Sequence, residues 1–289
     1  MDVLVTGGTG QVGTELQALD WPAGITLHAP GREILDLADP ASVARVAASR
    51  PWGAIVSAGA YTAVDKAETE VGPAWLVNAV APAILARHAA EAGIPIVQVS
   101  TDYVFDGTGE GYYGEEEPVR PLNVYGASKE GGEQAVRTAN PNHAIVRTAW
   151  VVGPHGRNFV KTMLRLAADR DALAVVGDQR GCPTFAGDLA VALRDVTLAL
   201  VGSRGRPGTY HFVNAGEASW AEFATAIFAA SAARGGPAAT VRAIATAEYP
   251  TPAKRPANSR LATGRIAETF GIGPRPWTEA LDETIARLV

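Results

Sequence analysis

Short apolar runs alternate with longer segments of helical spacing through the first half of the chain. VLVTG (3–7) is apolar and ends in glycine, and GQVGTELQAL after it has the spacing of an amphipathic helix. ITLHAP predicts a second strand. DPASVARVAASR begins with Asp39 at the N-cap and Pro40 as the first helical residue, a strong start signal. AIVSAGA (54–60) predicts a third strand. PAWLVNAVAPAILARHAAEAG predicts a helix that stops at Gly93 and kinks at the internal Pro82. IPIVQVSTDYVF (94–105) predicts a fourth strand, KEGGEQAVRTA a helix, and HAIVRTAWVVG (143–153) a fifth strand.

Strands that are apolar on both faces and alternate with helices predict parallel pairing through right-handed crossovers. The expected fold class is α/β, a Rossmann-type doubly wound parallel sheet. Beyond residue 153 the alternation loosens. NFVKTMLRLAADR and DLAVALRDVTLALVG are helical, and GTYHFVNAG is a short strand able to extend the sheet. SWAEFATAIFAASAARG opens with a Ser219/Glu222 capping box. A proline- and arginine-rich stretch, YPTPAKRPANSRL (249–261), precedes an amphipathic final helix, WTEALDETIARL. The expected division is a dinucleotide-binding domain over 1–153 plus about 183–217, with a smaller interleaved C-terminal substrate lobe over about 154–182 and 218–289. In such a sheet ligands bind beyond the carboxyl ends of the strands. Gly7 to Gly13, Gly59 to Thr62, Ser100 to Tyr103 and Thr148 to Trp150 all fall there.

Composition narrows the possibilities. The 289 residues are 47% hydrophobic and 19% charged, ample for a core. The net charge of −5, without a lysine/arginine cluster, argues against a nucleic-acid partner. Apolar stretches are short and broken by charge, so no membrane span is expected. MDVLVTGG has no basic flank, so it does not read as a signal peptide. The single cysteine, Cys182, reads as structural, consistent with a reducing, cytoplasmic setting. The five histidines show no paired spacing, and no metal is expected.

TGGTGQVG (6–13) follows a strand and opens a helix. Gly7 permits the tight turn, Gly10 lets the backbone approach a pyrophosphate, and Gly13 lets helix and strand pack closely. The free N–H groups at the helix start then face the anion. At the end of the second strand, HAPGREILDL offers Arg32 for a 2′-phosphate, followed at once by Glu33. The guanidinium favours NADPH, with NADH open. Asp36 and Leu37 are placed to border the adenine.

PLNVYGASK (121–129) sets Tyr125 four residues before Lys129, on one face of a helix. A phenol loses its proton near pH 10, and a neighbouring ammonium makes it a better acid. Thr101, where the fourth strand meets the binding rim, offers a hydroxyl to orient a carbonyl. A proton donor, a cation to tune it and an orienting group are what a ketone beside a nicotinamide requires.

These motifs resemble the extended short-chain dehydrogenase/reductase family. GTGQVGTEL, AYTAVDKAE (60–68), STDYVFDGTGEG, PLNVYGASK, RTAWVVG, NFVKTMLRLA, DQRGCPT and YPTPAKRPANSRL together resemble its dTDP-4-dehydrorhamnose reductase branch over essentially the whole chain. The resemblance implies a dTDP-sugar substrate, dTDP-4-dehydro-6-deoxy-L-mannose, whose C4 ketone is reduced to give dTDP-L-rhamnose. It implies that Tyr125 donates the proton, that Lys129 binds the nicotinamide ribose and lowers the tyrosine pKa, and that Thr101 orients the ketone. Gly10, Gln11 and Val12 would hold the pyrophosphate, and Ala60, Tyr61 and Thr62 would line the cofactor. Asp102 and Trp150 would touch the sugar, Val64 and Asp65 would close the pocket, and Arg255 and Ser259 would contact the diphosphate.

Tyr61 stands where relatives often carry histidine, and Ser57 where they often carry asparagine. Glu15 sits at a position that holds magnesium in some dimeric relatives, but its companions are not evident; the chain is expected to be a monomer or homodimer. The competing readings are another nucleotide-sugar 4-ketoreductase or 4-epimerase, and a non-catalytic regulatory subunit on the same fold.

Overall fold

The computed structural model describes residues 1–203 and 205–289. The chain begins with β1 (Asp2–Thr6), α1 (Gln11–Ala18), β2 (Thr26–His28), α2 (Pro40–Ala47) and β3 (Trp52–Ser57). It continues through two short helices, α3 (Val64–Ala67) and α4 (Val71–Trp75), to α5 (Ala81–Glu91), β4 (Ile96–Thr101), α6 (Val124–Ala139) and β5 (His143–Thr148). Next come β6 (Val151–Val152), α7 (Phe159–Ala167), β7 (Ala172–Val176), β8 (Arg180–Gly181), β9 (Thr184–Phe185), α8 (Ala186–Val201) and β10 (Gly208–His211). Last are β11 (Ala218–Ser219), α9 (Trp220–Ala232), β12 (Thr240–Ile244), β13 (Asn258–Ser259), α10 (Gly264–Phe270) and α11 (Trp277–Ala286).

Six strands form one parallel sheet in the order β10-β5-β4-β3-β1-β2. Chain order reverses between β1 and β3, which makes a crevice at their carboxyl ends. One face packs Val3, Val5, Val56, Val97 and Val146 against Leu16 of α1 and Leu189, Leu193 and Val196 of α8. The other packs Leu4, Ile55, Ile96 and Ile145 against α2, α5 and α6. Successive residues of one strand serve opposite faces, so strands with helices on both sides carry few polar positions.

A second core joins α7, β7, α9 and α11 around Phe223, Ile227, Leu281 and Ile285. The expected capping box is present: Ser219 Oγ accepts from the Glu222 N–H at 3.1 Å, and Glu222 accepts from the Ser219 N–H at 2.6 Å. Asp39 likewise caps α2 through the Ala41 N–H. Residues 264–272 differ from the expected division. Ile266, Phe270 and Ile272 pack into the core of the large sheet.

Three boundaries also differ from the sequence reading, each for a tertiary reason. β4 stops at Thr101, because Asp102–Val104 form a 3-10 turn whose Tyr103 N–H donates to the Thr101 hydroxyl. β5 stops at Thr148, and Trp150 takes a left-handed φ of 49°. That turn sends Val151–Val152 away from the large sheet to pair with β9. The long helix around Pro82 is interrupted by one wide π turn at Leu76–Val80, where the Ala81 N–H reaches back to the Leu76 carbonyl. Proline has no N–H for an ordinary i−4 bond, so a wide turn just before it relieves the mismatch.

Because the two cores are built from different elements, damage to one should spare the function of the other. Phe223→Ala, in a fully buried position of the second core, is expected to cost about 3–5 kcal/mol in chemical denaturation. Titration calorimetry of the same variant should find its dinucleotide affinity unchanged.

Candidate active site

The glycine turn is crowded on two sides and open on one. Gly7 has φ 72°, and a Cβ there would lie 2.6 Å from the Gly59 Cα. A Cβ on Gly13 would lie 2.1 Å from the Gly7 carbonyl oxygen. At Gly10 the nearest atom to such a Cβ is 3.2 Å away. Gly10 is also the N-cap of α1 and has no side chain to satisfy the helix's first N–H groups. No acidic residue occupies that first turn, so nothing repels an anion there. These features fit a dinucleotide pyrophosphate held by the backbone of Gly10, Gln11 and Val12. The Gln11 side chain is used elsewhere. Its amide donates to the Val151 carbonyl at 3.3 Å and accepts from Asn158 at 2.8 Å, tying the turn to the segment that leads into α7.

Around the adenosine end, Leu37 packs on Gly59, where an added Cβ would meet its side chain at 2.5 Å. Asp36 accepts from the Ala38 N–H at 3.0 Å. Arg32 is 81% exposed and paired with Asp36 only at 3.4 Å. Such a contact is weak, so the guanidinium is available to a phosphate.

Asn78, which the sequence reading missed, joins the cofactor side to the catalytic helix. It is fully buried on the π turn. Its Oδ1 accepts from the Tyr61 N–H at 2.8 Å, and its Nδ2 donates to the Tyr61 carbonyl at 3.1 Å and to the Ser128 hydroxyl at 2.9 Å. Ser128 in turn donates to the Tyr125 carbonyl at 2.8 Å. The segment Ala60–Tyr61–Thr62 is therefore fixed through its backbone. The Tyr61 phenol itself donates to Glu70 at 2.7 Å. The available sequence signal was a lone asparagine in an apolar helix, beside the proline that widens the turn.

The other missed residue, Asn123, caps α6. Its Oδ1 accepts from the Gly126 N–H, and its Nδ2 donates to the Lys254 carbonyl, both at 2.8 Å. Gly126 brings the helix start against the 3-10 turn; a Cβ there would lie 2.2 Å from the Tyr103 carbonyl oxygen. Tyr125 is thereby set edge-on to Tyr103, with ring centroids 5.5 Å apart.

Thr101, Tyr125 and Lys129 converge at this rim. The Thr101 hydroxyl donates to Asp102 Oδ1 at 2.9 Å and lies beside the Tyr125 phenol, to whose phenolate it can turn its one proton. Burial pushes that phenol up to about 12, with the Thr101 hydroxyl drawing it part of the way back. Lys129 is not among the groups that shift the phenol in this geometry, and its Nζ donates to the Val99 carbonyl at 2.6 Å. Burial depresses the Lys129 ammonium to about 8, opposed by the negative charge of Glu133. Asp102 is pushed up to about 6 by burial. Its Oδ2 has no well-aligned hydrogen-bond partner among the described residues, and the same is true of the Thr148 hydroxyl on the neighbouring strand.

The expected substrate contacts are more dispersed. Trp150 stacks on Trp220 at 3.5 Å, and Gly181 approaches its indole so closely that a Cβ would lie 2.4 Å away. The ring thus bridges the sheet rim and the second core. Arg255 is committed to Asp65 by paired bonds of 3.0 and 2.9 Å, an ion pair joining the proline-rich segment to α3. Val64 begins that helix. Ser259 is buried on β13, beside Gly181. Cys182 is also buried, which pushes its thiol up to about 11. Glu15 pairs with Arg287 at 3.2 Å and with His155 at 3.3 Å. No cluster of three metal-ligating side chains occurs among the described residues.

An open parallel sheet, a glycine turn at its switch point and a tyrosine–lysine–threonine rim define a dinucleotide-dependent oxidoreductase of the extended short-chain dehydrogenase/reductase kind. The profile of the RmlD substrate binding domain family matches residues 1–289, and the chain belongs to that family. A dTDP-4-dehydrorhamnose reductase of Sinorhizobium fredii is 45% identical over 282 residues, covering 97% of this chain and 95% of that protein. The crystal structure of a dTDP-4-dehydrorhamnose reductase from Clostridium acetobutylicum superposes with a TM-score of 0.92 at 37% identity, covering 100% of this chain and 99% of that one. That of the Bacillus anthracis enzyme in complex with NADP gives 0.90 at 35% identity, covering 99% and 98%.

The Lys129 environment yields a stability test. The folded value near 8 lies below the unfolded value of 10.5, so a buried charge penalises the folded state at pH 7. The penalty is relieved as pH rises from about 8 to about 10.5. Lys129→Met should therefore raise stability at pH 7 by on the order of 2 kcal/mol. Over that alkaline window the wild type should gain stability relative to the variant, as thermal melts across pH would record.

Proposed function

We propose that the chain catalyses reduction of the C4 ketone of dTDP-4-dehydro-6-deoxy-L-mannose to dTDP-L-rhamnose, the last step of dTDP-rhamnose biosynthesis. NADPH is the preferred reductant and NADH an acceptable one. The observation that carries this reading is the meeting of Thr101, Tyr125 and Lys129 on the rim beside the glycine turn. The whole-length family match selects the nucleotide-sugar substrate.

The backbone of Gly10, Gln11 and Val12, with Arg32 and Lys129, would hold a dinucleotide whose nicotinamide would supply the hydride to C4; the protein's residues manage the oxygen. The Tyr125 phenol carries its proton at neutral pH, as a phenol does even without burial, and this is the state a reduction requires. The Thr101 hydroxyl orients the carbonyl, and Tyr125 delivers its proton to the oxygen as negative charge builds there. The Lys129 ammonium leaves the Val99 carbonyl to bind the nicotinamide ribose and stabilises the resulting phenolate. Asp102 Oδ2 accepts from a sugar hydroxyl. Arg255 exchanges the Asp65 carboxylate for the substrate diphosphate, whose geometry suits the same guanidinium fork. Trp150 supports the sugar from the rim.

The nucleotide-sugar is the small-molecule partner of this reading, with the chain acting as a monomer or homodimer. Among the described residues no helix is long and apolar enough to cross a membrane.

Incubation with dTDP-4-dehydro-L-rhamnose should oxidise one equivalent of NADPH per ketosugar consumed. A 4-epimerase would show no net cofactor turnover, and a binding subunit no conversion. Tyr125→Phe should lower kcat by roughly 10²–10⁴-fold.

Arg32→Ala separates the two cofactors. Initial-rate kinetics should show a KM for NADPH raised roughly tenfold, about 1.4 kcal/mol of lost phosphate binding, with the KM for NADH unchanged.

A further inference from the structure

Helix α6 carries a charge beyond the tyrosine–lysine pair. Tyr125, Lys129 and Glu133 follow one another at four-residue spacing and share one face. Glu133 is 1% exposed, and both of its oxygens are used. Oε1 accepts from the Ser100 hydroxyl at 2.6 Å and from Arg147 Nε at 2.9 Å. Oε2 accepts from Arg147 Nη2 at 2.7 Å and from Arg137 Nη2 at 3.3 Å. Ser100 and Arg147 are register partners on β4 and β5, each one residue before the rim. The carboxylate therefore bolts α6 to both strands directly beneath Thr101.

The charges around it are few. Arg147 comes from β5 and Arg137 from α6. Behind Arg147 lie His211 of β10 and Glu115, with Arg265 beyond. Burial and the Arg147 charge hold His211 near 3, so it is neutral over the working range. The π turn faces α6 with the uncharged Asn78. Glu133 is the carboxylate whose field supports the buried Lys129 ammonium.

We propose that Glu133 is a positioning residue for the reaction: it fixes the helix bearing Tyr125 and Lys129 against the strand bearing Thr101, and it keeps the Lys129 ammonium charged. This rests on the reductase reading above. A merely structural ion pair would do only the first of these. The second has a distinct consequence. Without the carboxylate, the ammonium loses its proton at lower pH, and the chemical step fails earlier on the alkaline side.

The test is the pH profile of kcat for Glu133→Gln, which keeps the shape of the side chain and removes its charge. The expected result is an alkaline limb displaced downward by about one pH unit, with KM for the ketosugar little changed. Glu133→Asp, which retains the charge, should keep the limb in place even if kcat falls. Glu133→Gln leaves Arg147 buried without a counter-charge and so risks misfolding. The double variant Glu133→Gln/Arg147→Met avoids this and should still show the displaced limb. Titration of the Lys129 Nζ in ¹⁵N-lysine-labelled protein reads the same effect without turnover, with the signal assigned through Lys129→Arg. Wild-type turnover in this assay checks the reductase reading separately. If the double variant folds with its limb and its Nζ titration both at the wild-type pH, the proposal is overturned.

Discussion

The backbone of α6 comes to within contact distance of two peptide carbonyls, and the active site depends on that closeness. Gly126 abuts the Tyr103 carbonyl and Gly132 the Asn78 carbonyl, where side chains would leave 2.2 and 2.1 Å. Only glycine permits such an approach without moving the helix. Because α6 sits this deep, Tyr125 reaches the Thr101 hydroxyl and Lys129 reaches the end of β4. The 3-10 turn at Asp102–Val104 and the π turn at Leu76–Val80 are the two surfaces that receive the glycines. Irregular backbone at both places is thus part of how the site is assembled.

Depth has an electrostatic cost. Burial makes the Tyr125 phenol a weaker acid and the Lys129 ammonium easier to deprotonate. Each effect opposes catalysis, and each is offset only in part, by the Thr101 hydroxyl and by the Glu133 carboxylate. Concentrating unfavourable charge burial where the reaction occurs is the usual exchange of stability for function. Trp150, at φ 49° beside the rim, adds backbone strain, which its stacking on Trp220 helps to hold.

Much of the fold was legible in the sequence because its signals are local. The order of strands and helices, the Asp39 and Ser219 caps and the glycine turn follow from patterns within a few residues. The boundaries that differed lie where one side chain or one neighbouring element intervenes. Thr101 captures the Tyr103 N–H and ends a strand whose pattern continues through Phe105. Trp150 turns away toward Trp220, so the run through Gly153 divides between two sheets. Asn78 and Asn123 escaped notice because a single asparagine gains its meaning from partners far along the chain.

The sequence by itself determined the parallel sheet, the dinucleotide turn and the tyrosine–lysine pair, since periodicity, glycine spacing and helical i,i+4 geometry are properties of short segments. Only the tertiary structure decided where the charges rest. Lys129 lies on the Val99 carbonyl, Arg255 on Asp65, and Glu133 between Ser100 and Arg147. Those pairings connect elements distant in sequence, and their strength depends on burial, which no local pattern encodes.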